Sequence, residues 1–140
     1  AFYKNSYVGR TFIKPTQKER ESAVHLKLSV LSSVVKGKRL VLIDDSIVRG
    51  TTMASLIRML KDAGATEVHV RISSPPFLFP CYYGTDVPSN DQLIASSHTA
   101  AEICASIGAD SLGYMKLEDL KQMTGDLPLC KACFDSHYPV

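Results

Sequence analysis

The chain has 140 residues, 45% hydrophobic and 21% charged, which fits one globular domain with a modest core. No run of about 18 apolar residues occurs, so no transmembrane helix is expected. Nor does an apolar stretch follow the first lysine, so Ala1–Asn5 is not expected to open a signal peptide. The net charge of +2 excludes little, but nine of the sixteen Lys and Arg precede Leu40, against only Glu19 and Glu21. Such a basic segment suits a polyanionic small molecule, and equally a solvated flank or a nucleic-acid surface. No aromatic RNP-like pattern or helix-turn-helix signal supports nucleic acid. There is no internal repeat and no low-complexity tract.

In chain order, no convincing strand precedes Tyr7. An α/β domain rarely starts with a loop, so the chain is expected to be the later part of a larger protein. Val8-Gly9-Arg10-Thr11 sits among basic and polar residues, with Pro15 soon after, and reads as a loop or a basic arm. Thr16-Gln17-Lys18-Glu19 fits a capping box and predicts a helix to about Leu26. Lys27 to Leu31 has enough apolar and β-branched character for a strand. His25 is a lone histidine, read as a surface or packing residue rather than a catalyst. Lys36 to Arg39 marks a turn.

Leu40 to Ile43 is a short apolar run that suits a strand buried on both faces of a parallel sheet. It ends in two adjacent carboxylates, Asp44 and Asp45. Neighbouring residues at a strand end point to opposite sides, so the two acids can serve different partners. Carboxylates accept hydrogen bonds from sugar hydroxyls and hold Mg2+ directly or through water. Ser46-Ile47-Val48-Arg49-Gly50 forms a small loop, and Gly50 allows backbone geometry closed to other residues. Thr51 or Thr52 is placed to cap the next helix and to leave its first N–H groups free for an anion. The stretch thus offers acceptors for a ribose beside donors for a phosphate. The plain alternative is a βα turn with two solvated acids and a cap.

Thr52 to Ala63 reads as an amphipathic helix through Ala54, Ile57, Met59 and Leu60, with Gly64 as its C-cap. Glu67 to Ile72 is the next strand, stopped by Pro75 and Pro76. Strand, helix, strand at these lengths implies a parallel pair. Ligands of such sheets gather at the carboxyl ends of strands, where Asp44 and Asp45 lie. Asp91–Ala95 and Thr99–Ile107 read as helices, capped by Ser89 or Asn90 and by Ser97 or His98, the second ending at Gly108. Ser111–Met115 is a short strand and Leu117–Met123 a final helix.

Cys130-Lys131-Ala132-Cys133 places two thiols on one turn, the usual seed of a zinc or iron–sulfur site, and Cys81 can supply a third ligand. Cys104 sits inside a helix and reads as a buried thiol. The alternatives are reduced thiols, or a disulfide from Cys81 to Cys130 or Cys133. A thioredoxin-type redox pair would open a helix after a strand, whereas this pair sits in a tail.

Val41-Leu42-Ile43-Asp44-Asp45-Ser46-Ile47-Val48-Arg49-Gly50-Thr51-Thr52 closely resembles the ribose-5-phosphate loop of type I phosphoribosyltransferases, which bind phosphoribosyl pyrophosphate (PRPP). Tyr7–Ile13, Ile72–Pro76 and Ile94–His98 agree in the same order, and the full pattern resembles the glutamine PRPP amidotransferases of that family. The likeness runs from about Lys4 to the C-terminus. It implies an α/β fold, a parallel sheet with flanking helices, with the N-terminal part of the domain missing. Residues 1–125 would be a partial transferase domain, with 1–20 a flexible basic loop and helix start. Residues 126–140 would be a Cys-x-x-Cys tail.

The activity implied is transfer of glutamine-derived ammonia to PRPP, giving 5-phosphoribosylamine and pyrophosphate at the start of purine synthesis. Arg10 and Lys14 would meet the pyrophosphate. Asp44 and Asp45 would hold the ribose hydroxyls and Mg2+, and the backbone of Ser46, Ile47, Val48, Arg49, Gly50, Thr51 and Thr52 would hold the 5′-phosphate. Cys81, Cys130 and Cys133 fall on three ligand positions of a structural 4Fe–4S cluster, whose fourth ligand lies outside this chain. Also implied are an absent glutaminase domain, feedback inhibition by purine nucleotides, a homo-oligomer and a cytoplasmic location, with neither nucleic acid nor membrane as partner. Another PRPP enzyme, such as a nucleobase salvage transferase, and a nucleotide-sensing module that uses the same loop are the alternatives. A structural metal-binding domain is a third.

Overall fold

The computed structural model describes residues 1–4, 28–84, 87, 89–125 and 127–139. Two short strands, β1 (Phe2–Lys4) and β2 (Leu28–Val30), pair antiparallel, with Tyr3 opposite Ser29. A four-residue helix, α1 (Ser32–Val35), leads through a turn into β3 (Arg39–Asp44). The chain then follows α2 (Thr51–Asp62), β4 (Glu67–Ile72), two 3-10 turns (Asn90–Gln92 and Ile94–Ser96), α3 (Ala100–Ile107), β5 (Ser111–Tyr114), α4 (Leu117–Thr124) and α5 (Ala132–Asp135). No helix among the described residues is long and apolar enough to cross a membrane.

The centre is a parallel sheet in the order β3-β4-β5. Arg39 pairs with Glu67 and Asp44 with Ile72, while His69 pairs with Ser111 and Ile72 with Tyr114. Alternation along β4 sends Val68, Val70 and Ile72 to one face, where they are buried against Ile57 and Leu60 of α2 and Ile103 and Ile107 of α3. Val35 and Ile47 close the same core. The predicted parallel pair and the strand over Glu67–Ile72 are therefore present.

Burial of β3 on both faces is not what the structure shows. Leu40 and Leu42 pack on the core, but Val41 is 63% and Ile43 72% exposed. The reason is that α2 and α3 cover one face only, and β3 is an edge strand. The open face carries a polar ribbon across the strands. Glu67 accepts from Arg39 at 2.8 Å and contacts His69 at 2.8 Å, and His69 reaches Ser111 Oγ at 2.9 Å. This ribbon is well exposed, so it contributes little to stability.

Other local expectations also shift. A strand does precede Tyr7, because β1 takes its pairing from β2, a partner well over twenty positions away (Phe2 with Val30 at one end, Lys4 with Leu28 at the other) that three residues of pattern cannot reveal. The helix expected over Asp91–Ala95 is two 3-10 turns. Leu93 between them is buried with an extended backbone, φ −99 and ψ 104, which interrupts any α-helix. The cap of α3 is Thr99, not Ser97 or His98. Thr99 Oγ1 accepts from the Glu102 N–H at 3.3 Å and the Glu102 carboxylate accepts from the Thr99 N–H at 2.7 Å, a reciprocal box. Helix α2 closes one residue early, at Ala63, with Gly64 following at φ 96. The predicted helix over Thr16–Leu26 and His25 lie outside the described residues.

Core and open face should respond differently to mutation. Leu60→Ala should cost about 2–5 kcal/mol, from lost burial and the cavity left behind. Val41→Thr should stay within about 0.5 kcal/mol. Urea melts of the two variants beside the parent chain check this.

Candidate active site

Strand β3 delivers Asp44 to the carboxyl end of the sheet, and the backbone there is clamped. Asp44 O accepts from the Ser73 N–H at 3.0 Å and from Ser73 Oγ at 3.3 Å, which ties the β3 exit to the β4 exit. The half-buried Asp44 carboxylate accepts the Asp45 N–H at 3.0 Å. Burial holds its pKa above the ordinary 3.8, opposed by the hydrogen bond from the Asp45 N–H and reinforced by the Asp45 charge. Asp45 is exposed and accepts from Ser46 Oγ at 3.1 Å.

The loop between the acids and α2 is anchored along its length. Ile47 is buried in the core, and Val48 O accepts the Ile94 N–H at 2.9 Å. The Arg49 guanidinium donates to the Gln92 side-chain oxygen. Gly50 is the N-cap of α2, in the left-handed region at φ 79. A Cβ there would meet Ile94 Cδ1 at 3.3 Å and Ile107 Cγ2 at 3.4 Å. Thr51 and Thr52 are thus the first helical residues and not the cap as expected. The reason is that the chain turns sharply over Ile94 and Ile107, which only glycine permits. No side chain caps α2 and no acid occupies its first turn. Among the described residues its first N–H groups therefore have no side-chain cap, and with the helix dipole such a start favours an anion. The acids at the β3 exit and the start of α2 are thus joined by the five residues Ser46–Gly50.

Two buried hydroxyls carry no local sequence signal of a role. Ser74 Oγ and Tyr114 OH are buried without a hydrogen-bond partner among the described residues, just past the end of β4 and at the end of β5. Burial also holds the Tyr114 hydroxyl pKa above its ordinary value. The rule that ligands gather at strand ends could have drawn attention to them. Gln92 and Ile94, which brace the loop, carried no sequence signal. Arg10 and Lys14 lie outside the described residues.

The thiols belong to the segment that follows β4 and to the C-terminal tail. Cys133 O accepts the Leu78 and Phe79 N–H groups at 2.9 and 3.1 Å, and Phe77 stacks edge-on to Phe134 at 5.1 Å. Tyr138 donates to Pro80 O at 2.8 Å. These contacts seat the tail on the segment that carries Cys81, whose Sγ accepts the Gly84 N–H at 3.5 Å. Burial raises the Cys133 pKa, and the Cys81 and Cys130 charges add to it, so the three thiols share one neighbourhood. The donor chemistry suits a thiophilic group. Among the described residues, however, no three His, Cys, Asp or Glu side chains are gathered into a metal cage. Cys104 is half-buried on α3 and donates to Ala109 O at 3.3 Å, in keeping with a packing role.

Residues 4–73 match the family described as the phosphoribosyl transferase domain, and the chain belongs to that family. Within it, the chain is similar over nearly its whole length to amidophosphoribosyltransferases. It is 53% identical over 139 residues to that of Synechocystis sp., covering 98% of this chain and 28% of the relative. Against that of Methanocaldococcus jannaschii it is 55% identical over 136 residues, covering 97% and 29%. Among solved structures, the glutamine PRPP amidotransferase of B. subtilis, complexed with ADP and GMP, superposes with a TM-score of 0.81 at 52% identity, covering 99% of this chain and 32% of that one. The chain thus spans about a third or less of the length of these relatives.

Two substitutions probe the site. Because Asp44 binds its proton more tightly folded than unfolded, the fold loses stability as pH rises from 3.8 through the raised value. Asp44→Asn keeps an acceptor for the Asp45 N–H and removes that cost. Its melting temperature should exceed the parent's at pH 7, and the gain should vanish below pH 3.8. Gly50→Ala should lose about 1–2 kcal/mol in a urea melt, from left-handed strain alone.

Proposed function

We propose that the acid pair and loop form a PRPP half-site in the transferase part of a glutamine-dependent PRPP amidotransferase. The observation that carries this reading is the continuous turn from Asp44 and Asp45 to the uncapped start of α2 at Gly50. Two carboxylates accept hydrogen bonds from the 2′ and 3′ ribose hydroxyls. Backbone N–H groups from Ser46 to Thr52 hold the 5′-phosphate. Arg10 and Lys14 meet the pyrophosphate, where fixed cations stabilise charge on the leaving group.

Ammonia attacks C1 of the ribose as the bond to pyrophosphate breaks, leaving 5-phosphoribosylamine. Positive charge develops on the ring in between. A partly desolvated Asp44 stabilises such charge more than a solvated acid would. No side chain serves as nucleophile, so catalysis rests on positioning and electrostatics. Asp44 and Asp45 would also hold Mg2+, directly or through water, which supplies neutralising charge to the phosphates when bound. Cys81, Cys130 and Cys133 would hold a 4Fe–4S cluster with a fourth ligand from outside these residues, which would tie the tail to the segment after β4. Glutamine hydrolysis belongs to a domain outside the 140 residues, which alone would not complete the reaction.

A second reading is nucleotide sensing at the same loop, favoured by the ADP and GMP named with the B. subtilis structure. Ribose and 5′-phosphate are common to PRPP and a nucleotide, so one cradle serves both.

Calorimetry of the chain with PRPP, with and without Mg2+, tests the first reading. Saturable binding is expected, and Asp44→Asn/Asp45→Asn should abolish it. Equal binding by the double variant would remove the acids from the site. In the complete enzyme, Asp45→Asn should lower transfer by about 100-fold or more while glutaminase turnover stays measurable. Binding of AMP or GMP without any turnover of PRPP would favour the sensing reading instead.

A further inference from the structure

Between its ends, where Ser46 Oγ bonds Asp45 and Gly50 O accepts the Ala54 N–H, the loop from Ser46 to Gly50 is braced by residues distant in sequence. Val48 O accepts the Ile94 N–H at 2.9 Å, and Gly50 stands where even a Cβ would come within 3.4 Å of Ile94 and Ile107. The Arg49 guanidinium bonds the Gln92 side-chain oxygen. All three contacts reach across more than forty residues to one short segment and the helix that follows it. That segment is itself rigid. Leu93 is buried, and Ser96 Oγ donates to Leu93 O at 2.7 Å and Asn90 O at 3.1 Å.

Arg49 is the one strong cation of the loop. In a phosphate cradle a guanidinium would ordinarily be taken as an anion ligand. Here its charge is directed to a neutral carboxamide on the bracing segment. A loop that binds through backbone N–H groups must hold several of them at one geometry before the ligand arrives, and a hydrogen bond from a charged group is among the stronger ways to do so.

We propose that Gln92 is a positioning residue that acts through Arg49, clasping the 46–50 loop in its phosphate-binding shape, so that Arg49 serves as a strut and not as a ligand. This rests on the PRPP reading for the identity of the ligand. The clasp itself rests on the contacts.

The test uses the full-length enzyme with Gln92→Leu, Gln92→Glu, Arg49→Leu and the Gln92→Leu/Arg49→Leu double variant. Gln92→Leu keeps the bulk and removes the acceptor, and should raise KM for PRPP about tenfold with little change in kcat. Gln92→Glu restores an acceptor and should return KM toward the parent. The double variant should be no worse than Arg49→Leu, because both remove one interaction. A Gln92→Leu enzyme with unchanged or lowered KM, beside an impaired Arg49→Leu, would show that Arg49 contacts the phosphate itself and would overturn the proposal.

Amide hydrogen exchange without ligand separates the clasp from the PRPP reading. Gln92→Leu should speed exchange at residues 46–50 and leave 67–72 unchanged. Unaltered exchange at 46–50 would sink the clasp whatever the ligand. Parent enzyme that ignores PRPP would sink the PRPP reading and leave the exchange result to decide the clasp.

Discussion

The parallel register of β3 on β4 is the constraint on which the site depends. Asp44 faces Ile72 across the ladder, and the Ser73 N–H and hydroxyl fasten the Asp44 carbonyl just beyond it. A one-residue slip would move Leu40 and Leu42 off the core and turn Asp44 to the other face. Burial of Val68, Val70 and Ile72 against α2 and α3 prevents that slip. The hydrophobic effect thus fixes where two charged groups stand, although neither acid adds to the core.

The electrostatics of the turn are left open for a ligand. No ion pair engages Asp44 or Asp45 among the described residues, and the charged side chain nearest in sequence, Arg49, bonds Gln92 instead. Burial raises the Asp44 pKa, and no cation among the described residues is paired with it. At the other end of the turn, α2 begins without a side-chain cap. The two carboxylates thus bond only neutral groups of their own turn among the described residues, and the helix start has no side-chain cap.

The thiol neighbourhood follows a different logic. Aromatic contacts between Phe77 and Phe134 and between Tyr82 and Tyr138, with backbone bonds to Cys133 O, seat the tail on the segment that follows β4.

Local chemistry was legible in the chain, because its signals sit within a few residues of one another. Glu67–Ile72 alternates over the bounds of β4, the acids close the apolar run at the exit of β3, and Gly108 marks the end of α3. The sequence by itself determined the strand–loop–helix unit and its family. What depends on residues far apart was not legible. The β1–β2 pair, the exposure of Val41 and Ile43, the identity of Gly50 as cap and the Gln92 brace were decided only when the chain folded. The physical reason is that strand pairing, face coverage and loop bracing are contacts between segments, and no local pattern records which segment will supply the partner.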